Sequence, residues 1–357
     1  MRGFGMKEVG KTAWLEKEKP VAGPLDAILR PIAVAPCSSD THILHGGGGR
    51  RENLILGHEA VGEIVEAGDL VKDFKPGDIA IVPATTPNWL APGSQSGKCN
   101  AHDEGARKSF KFLSVKDGVF AEYFHVNQAD ANLAHLPDDV SAEAALMVVD
   151  MMSTGFHGVE LAGVEFGDTV VVIGIGPVGL MSVAGARLKG AGRIIVVGTR
   201  PNCVRIAREY GATDVISYKE GDIVSQVMKM TGRGSDRTII AGGNKDTFAQ
   251  AVAMTRETGV IANVNFFDAR DNLTMSSLEW GLGMANKDIR GGFCPGGRLR
   301  MEKLLKLIQY GRIDPTLIIS HRFNGFDKIE DAFNLMDRKE PDLIKPVVLI
   351  DPPYDRR

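Results

Sequence analysis

Only four of the 357 residues are cysteine, at positions 37, 99, 203 and 294, and no two of them form a CxxC pair. That scarcity argues against a disulfide framework and against paired-thiol redox chemistry, and it suits a reducing cytoplasm. No stretch approaches the roughly 20 apolar residues needed to cross a bilayer. The opening MRGFGMKEVGKTAWLEKEK also lacks the apolar core of a secretory signal, so no membrane association is expected. An excess of one charge is missing as well: 42 Lys and Arg stand against 45 Asp and Glu, a net of −3. Such balance gives no electrostatic reason to expect nucleic acid as a partner. The chain shows no internal repeat and no low-complexity tract.

Glycine is plentiful, with 42 residues, many of them set beside apolar runs. Clusters of that kind mark tight strand–helix turns more than disorder. The length predicts two domains. Residues 1–152 read as short strands closed by Gly, Pro or Asp, as in AILRPIAVAP, AVGEIVEAG and DIAIVPA, a mainly antiparallel β domain. Residues 85–110 carry neither period and are expected to form a long loop. From 153 to 293 buried apolar runs alternate with amphipathic helices, the pattern of βαβ units around a doubly wound parallel sheet. Residues 294–357 hold a long helix, a second helix and a final strand, KPVVLI. The fold class is therefore α/β with a second, β-rich domain.

VVVIGIGPVGL sets Gly174, Gly176 and Gly179 as G-x-G-x-x-G between a strand and a helix, with Pro177 and Val178 opening the helix. The first glycine permits the turn, the second lets backbone approach a pyrophosphate, and the third allows close packing. The flanking strand and helix give this motif the context it requires. Where the next strand ends, an NAD enzyme would carry an acid for the ribose 2′-OH. Here stand Gly198, Thr199 and Arg200, which leave room for a 2′-phosphate and offer it a hydroxyl and a guanidinium. The expected cofactor is NADP(H). The plainer alternative makes Arg200 a solvated helix-start residue.

ILGHEAVGEI places His58 and Glu59 ahead of a strand, and APCSSDTH carries Cys37. A catalytic zinc takes three protein ligands from Cys, His and carboxylate and leaves the fourth position open. Cys37, His58 and a distant carboxylate would meet that need. Asp150, in LMVVDMMSTGFHG, is a candidate, although it also reads as an N-cap of the helix that follows. Taken alone, His58 could equally be a satisfied core histidine. No argument from spacing links residues 37, 58 and 150.

APCSSDTH, LGHEAVGEIVEAG, KPGD, DGVFAEYFHV and VVIGIGPVGL occur in the order seen in zinc-dependent medium-chain alcohol dehydrogenases, which this chain resembles from residue 1 to about 350. DMMSTGFHG, GAGRIIVVGTRPNC, EYGATD and DLIKPVV are similar to a narrower branch, the NADP-dependent secondary-alcohol (isopropanol) dehydrogenases. The resemblance implies a GroES-like catalytic domain over residues 1–152, a Rossmann NADP-binding domain over 153–293, and a return of 294–357 to the catalytic domain. It implies that Cys37, His58 and Asp150 bind one catalytic zinc, with Glu59 a ligand when substrate is absent. Ser39 matches the position that takes the alcohol proton, and His42 the position that relays it. Ser38 and Asp40 are left as turn residues. Gly198, Thr199, Arg200 and Tyr218 match the branch's 2′-phosphate pocket, with Thr199 in place of its usual serine, and Lys339 is added to them although the pattern around it departs. The lobe that holds a structural zinc in many relatives has only Cys99 here, so a four-cysteine site is ruled out. A homotetramer is also implied.

The chemistry so implied is hydride transfer between NADP(H) and a small alcohol or ketone, with zinc as Lewis acid. The bland alternative gives Ser39 and His42 only a turn to hold. On the expected substrate wall Ala84 and Met284 look conventional for the family. Phe110 stands where tryptophan is common, Phe266 where tyrosine is usual, and Phe293 replaces a leucine, which reshapes the cavity. Secondary alcohols and ketones are expected, with bulkier ketones such as hydroxysteroids as the alternative. The rival classes are a zinc-free medium-chain enone or quinone reductase, which would not need residues 37, 58 and 150, and a non-catalytic binding protein that keeps the fold.

Overall fold

The structure, a computed structural model, describes residues 1–47, 51–96, 112–113, 116–268 and 271–350. The chain divides into two compact units, Met1–Ser153 with Cys294–Arg357, and Thr154–Phe293.

In the first unit the β-branched runs form a seven-stranded sheet. Its centre is Ala27–Val34, paired antiparallel with Ala60–Ala67, which pairs in turn with Ile79–Val82. The C-terminal strand Lys345–Leu349 pairs antiparallel with the other edge of Ala27–Val34. The end of the chain thereby returns to the sheet centred on Ala27–Val34, while the first strands, Arg2–Glu8 and Lys11–Glu16, form a separate three-stranded sheet with Leu54–Ile55. Alternate residues of these strands bury Leu29, Ile64, Val82, Phe124 and Val348 in one core with Phe4 and Phe333. The helices Arg298–Gln309 and Ile329–Arg338 lie where the amphipathic runs predict them. Of the long loop expected at 85–110, residues 85–96 hold one short helix, Pro92–Gln95; Cys99 and Phe110 lie outside the described residues.

Asp150 differs from its reading as an N-cap. It sits inside a continuous helical run, in a π-helical turn Val148–Met152 between the helices Ala142–Met147 and Ser153–Ala162. A π turn carries one residue more than an α turn needs and is found mostly where a helix is bent to functional use.

The second unit is a six-stranded sheet, parallel throughout. Its order is Asp214–Ile216, Arg193–Val197, Thr169–Ile173, Ser235–Ile240, Thr255–Asn263, Asp288–Gly291. Counted along the chain this is 3-2-1-4-5-6, in which the order reverses beside the first strand, where a dinucleotide binds. Val171, Ile173, Ile195, Val197, Ile240 and Ile261 line one buried face, as continuous apolar strands covered on both sides require.

Candidate functional site

The first unit assembles a buried cluster of four metal-ligating side chains. Cys37 immediately precedes the short helix Ser38–Leu44. His58 and Glu59 follow Gly57, whose φ of 89° turns the chain into the strand Ala60–Ala67. A Cβ at Gly57 would meet the Phe120 ring at 2.4 Å, so glycine is needed there for space as well as for conformation. Asp150 comes from the π turn. One donor atom from each of the four residues lies within 4.8 Å of the others.

The spacing fits zinc. Ordinary zinc bond lengths in a tetrahedron separate a nitrogen from an oxygen by about 3.4 Å, and a sulfur from an oxygen by about 3.6 Å. His58 Nε2 lies 3.3 Å from Asp150 Oδ2, and Cys37 Sγ lies 3.7 Å from the same oxygen. Glu59 Oε1 is 3.8 Å from His58 Nε2. Glu59 Oε2 is buried with no hydrogen-bond partner among the described residues, an orphan acceptor that a cation would satisfy. Thiolate, imidazole and carboxylate together are a zinc donor set.

Asp40 does more than fix a turn. Fully buried, its Oδ2 accepts from Cys37 N–H at 2.8 Å, and its Oδ1 accepts from Gly57 N–H and His58 Nδ1, each at 3.1 Å. One carboxylate therefore ties together both ligand-bearing segments. It also draws the His58 proton to Nδ1 and leaves the Nε2 lone pair for metal, the arrangement that metal-binding histidines use. Nothing in the sequence pattern separates Asp40 from an ordinary capping aspartate.

The charges are tightly coupled. Burial pulls the His58 pKa down, but the Asp40 charge and bonds to Asp150, Asp40 and Cys37 hold it well above its usual value. Burial pushes the Glu59 carboxyl up against the pull of Lys345. Lys345, which the sequence did not single out, is 0% exposed, and its Nζ donates to Glu59 Oε1 at 2.6 Å and to Pro36 O at 3.1 Å. Burial lowers its pKa, yet the charges of Glu59, Cys37 and Asp150 outweigh that and raise it.

Ser39 Oγ is 3.3 Å from His58 Nε2, beside the place where the donor atoms converge. His42 follows one turn later on the same helix, half-buried. Ala84 is buried, and its N–H donates to Val149 O, next to Asp150.

The second unit carries the nucleotide candidates. Gly174 has φ 87°, and a Cβ at Gly179 would fall 1.8 Å from Gly174 O, so both glycines are required by the turn. Gly176 caps the helix Pro177–Leu188, whose first residues are Pro177 and Val178. Gly198 and Thr199 follow the strand Arg193–Val197, and Arg200 caps the helix Pro201–Glu209. Thr199 Oγ1 donates to the Tyr218 hydroxyl at 2.9 Å, and Tyr218 is 57% exposed. Of the expected wall residues, Phe266 and Met284 are largely exposed and Phe293 is half-buried at the end of this unit. Lys339 belongs to the first unit, left-handed at the C-terminal cap of Ile329–Arg338.

A parallel nucleotide-type sheet and a β unit holding a Cys–His–carboxylate cluster together define a metal-dependent dehydrogenase. Residues 23–138 match the alcohol dehydrogenase GroES-like domain, and residues 177–310 match the zinc-binding dehydrogenase domain. The NADP-dependent isopropanol dehydrogenase of Thermoanaerobacter brockii is 59% identical over 352 residues, covering 98% of this chain and all of that one. The protein of the same description from Clostridium beijerinckii is 56% identical over the same coverage. Among solved structures, alcohol dehydrogenase TADH from Thermus sp. ATN1 matches with a TM-score of 0.85 at 27% identity, over 98% of this chain and all of that one. The chain belongs to the zinc-dependent medium-chain alcohol dehydrogenase family, in its NADP-dependent secondary-alcohol branch. Among the described residues no helix is long and apolar enough to cross a membrane.

Proposed function

We propose that this enzyme transfers hydride between NADP(H) and small secondary alcohols or ketones, with one zinc held by Cys37, His58 and Asp150. The observation that carries the reading is the donor spacing: 3.3 Å from Nε2 to Oδ2 and 3.7 Å from Sγ to Oδ2, the edges of a zinc tetrahedron, with a serine hydroxyl alongside. Bound zinc supplies a Lewis acid that stabilises negative charge on the substrate oxygen. Bound nicotinamide supplies or accepts the hydride. The Ser39 hydroxyl takes the alcohol proton and His42 passes it outward. Gly174, Gly176, Pro177, Val178 and Gly179 hold the pyrophosphate at the helix N-terminus. Gly198, Thr199, Arg200 and Tyr218 receive the 2′-phosphate. In the second unit Phe266, Met284 and Phe293 are the residues that bear on the bulk of the substrate.

The test is zinc content per chain together with NADPH and NADH kinetics over ketones from acetone to bulky cyclic ones. The reading expects one zinc per chain, a preference for NADPH, and secondary over primary alcohols. Full activity in metal-free protein would refute it in favour of an enone or quinone reductase. A preference for primary alcohols would refute the substrate class. The same reading carries a homotetramer in the cytoplasm; light scattering on the purified enzyme counts the chains.

A further inference from the structure

Lys345 is, among the described residues, the one lysine that is buried. An ammonium in a low-dielectric site is costly unless it is paired, and an apolar side chain could fill the same space without that cost. Its place therefore calls for a reason beyond packing. The strand Lys345–Leu349 delivers Nζ to Glu59 Oε1 at 2.6 Å. That oxygen is also the one 3.8 Å from His58 Nε2, the nitrogen that Asp40 leaves free for metal. Two cations thus draw on one carboxylate: the ammonium of Lys345 holds Oε1, and a metal ion in the cluster could take Oε1 or the unpartnered Oε2. The charges point the same way. Ionised Cys37, Glu59 and Asp150 carry one negative charge more than a divalent ion cancels, and Lys345 supplies the balance. The Asp40 charge is already answered by its three N–H donors.

We propose that Lys345 is a positioning residue that governs whether Glu59 binds the metal: by anchoring Oε1 it restrains the whole carboxylate, Oε2 included, from moving onto the metal and leaves the fourth coordination position open to substrate. The proposal rests on the zinc reading given above. With Lys345 replaced by methionine, the metal becomes the one cation left for Glu59 to answer. Glu59 then completes a set of four protein ligands, and a site closed in that way behaves as a structural zinc site rather than a catalytic one.

The test uses the full chain loaded with Co²⁺ in place of zinc, because the visible absorption of cobalt reports coordination. Wild-type protein is expected to change its spectrum when imidazole enters the open position. Lys345→Met is expected to lose that response, to release zinc to a chelator about tenfold more slowly, given that outer-shell partners move metal affinity by about 10–100-fold, and to lose turnover. Lys345→Met combined with Glu59→Gln should regain the imidazole response and fast release, and Lys345→Arg should retain both. A purely structural lysine would lower Tm equally in the single and double variants and leave the imidazole response intact. An unchanged imidazole response in Lys345→Met, or a double variant no different from the single, overturns the proposal. If Lys345→Met does not fold, Lys345→Leu, which likewise removes every donor to Oε1, takes its place in the same comparison. Wild-type protein that takes up no cobalt, by contrast, refutes the metal reading and the proposal with it.

Discussion

Replacing Asp40 by asparagine changes one atom and should damage the metal site out of proportion. The carboxylate accepts three N–H groups, two on Oδ1 and one on Oδ2. An asparagine has one acceptor oxygen. It would turn that oxygen to Gly57 N–H and His58 Nδ1–H, where two donors wait, and its NH₂ would then face Cys37 N–H across 2.8 Å. Two opposed donors make no bond, and the buried Cys37 N–H is left without an acceptor, at about 1–3 kcal/mol. The strain falls on the backbone of a ligand residue, so it appears in metal binding more than in global unfolding. At 1.4 kcal/mol per decade this is about 5–140-fold in zinc affinity, which spans the range known for outer-shell partners of metal ligands. The assay is competition for zinc between the folded protein and a chelating dye, with near-UV circular dichroism as a check on the fold. Asp40→Ala, which leaves three donors without an acceptor, should lose more. Zinc affinity within about threefold of wild type in a folded Asp40→Asn protein would refute the reasoning.

Arg200→Ala removes the guanidinium assigned to the 2′-phosphate. With charge-assisted bonds at about 1.5–3 kcal/mol, the KM for NADPH should rise about tenfold or more while the KM for NADH holds; equal changes in both would count against the assignment. Gly179→Ala puts a Cβ 1.8 Å from a backbone oxygen that has no room to yield. It should cost at least the about 1–3 kcal/mol of ordinary overpacking and abolish NADPH fluorescence enhancement; a wild-type Tm would contradict the geometry. Acid stability follows from Asp236. Burial pushes its carboxyl up, but bonds from Arg256 and from Thr169 N–H bring it below the ordinary 3.8. Such a group contributes stability that is complete above the unfolded value and is lost as pH falls through the folded one. Asp26 and Asp214 are lowered likewise. Tm should therefore fall steeply below pH about 4, and Asp236→Asn should lower Tm at neutral pH while flattening the acid limb. A variant curve running parallel to wild type would exclude the linkage.

The two larger sheets were legible because each obeys a period. VVVI and IIVV are continuous apolar runs that only a sheet covered on both faces can bury, and glycines at 174, 176 and 179 stand where such a strand must turn into a helix. The donor cluster was legible only as residue types. Cys37 and His58 reach each other because Ala27–Val34 and Ala60–Ala67 pair as neighbours, a long-range fact that no local pattern states. Family resemblance supplied the link that spacing could not.

Asp150 shows most plainly why the local reading fell short. LMVVDMMSTG contains a short polar residue between an apolar run and a helix former, which is how an N-cap looks. In the structure the helical run never stops there; it widens into a π turn, and the extra residue changes which face Asp150 occupies. At 3.6 residues per turn, a one-residue change of register swings a side chain by about 100°. Without the bulge the carboxylate would leave the direction in which it lies 3.3 Å from His58 Nε2. Propensity cannot announce such a turn, because a π turn is intrinsically unfavourable and persists where tertiary contacts hold it. Here Val148, Val149, Met151 and Met152 are all buried around the aspartate. The apolar residues that made Asp150 look like an interruption are what fix the bulge that aims it.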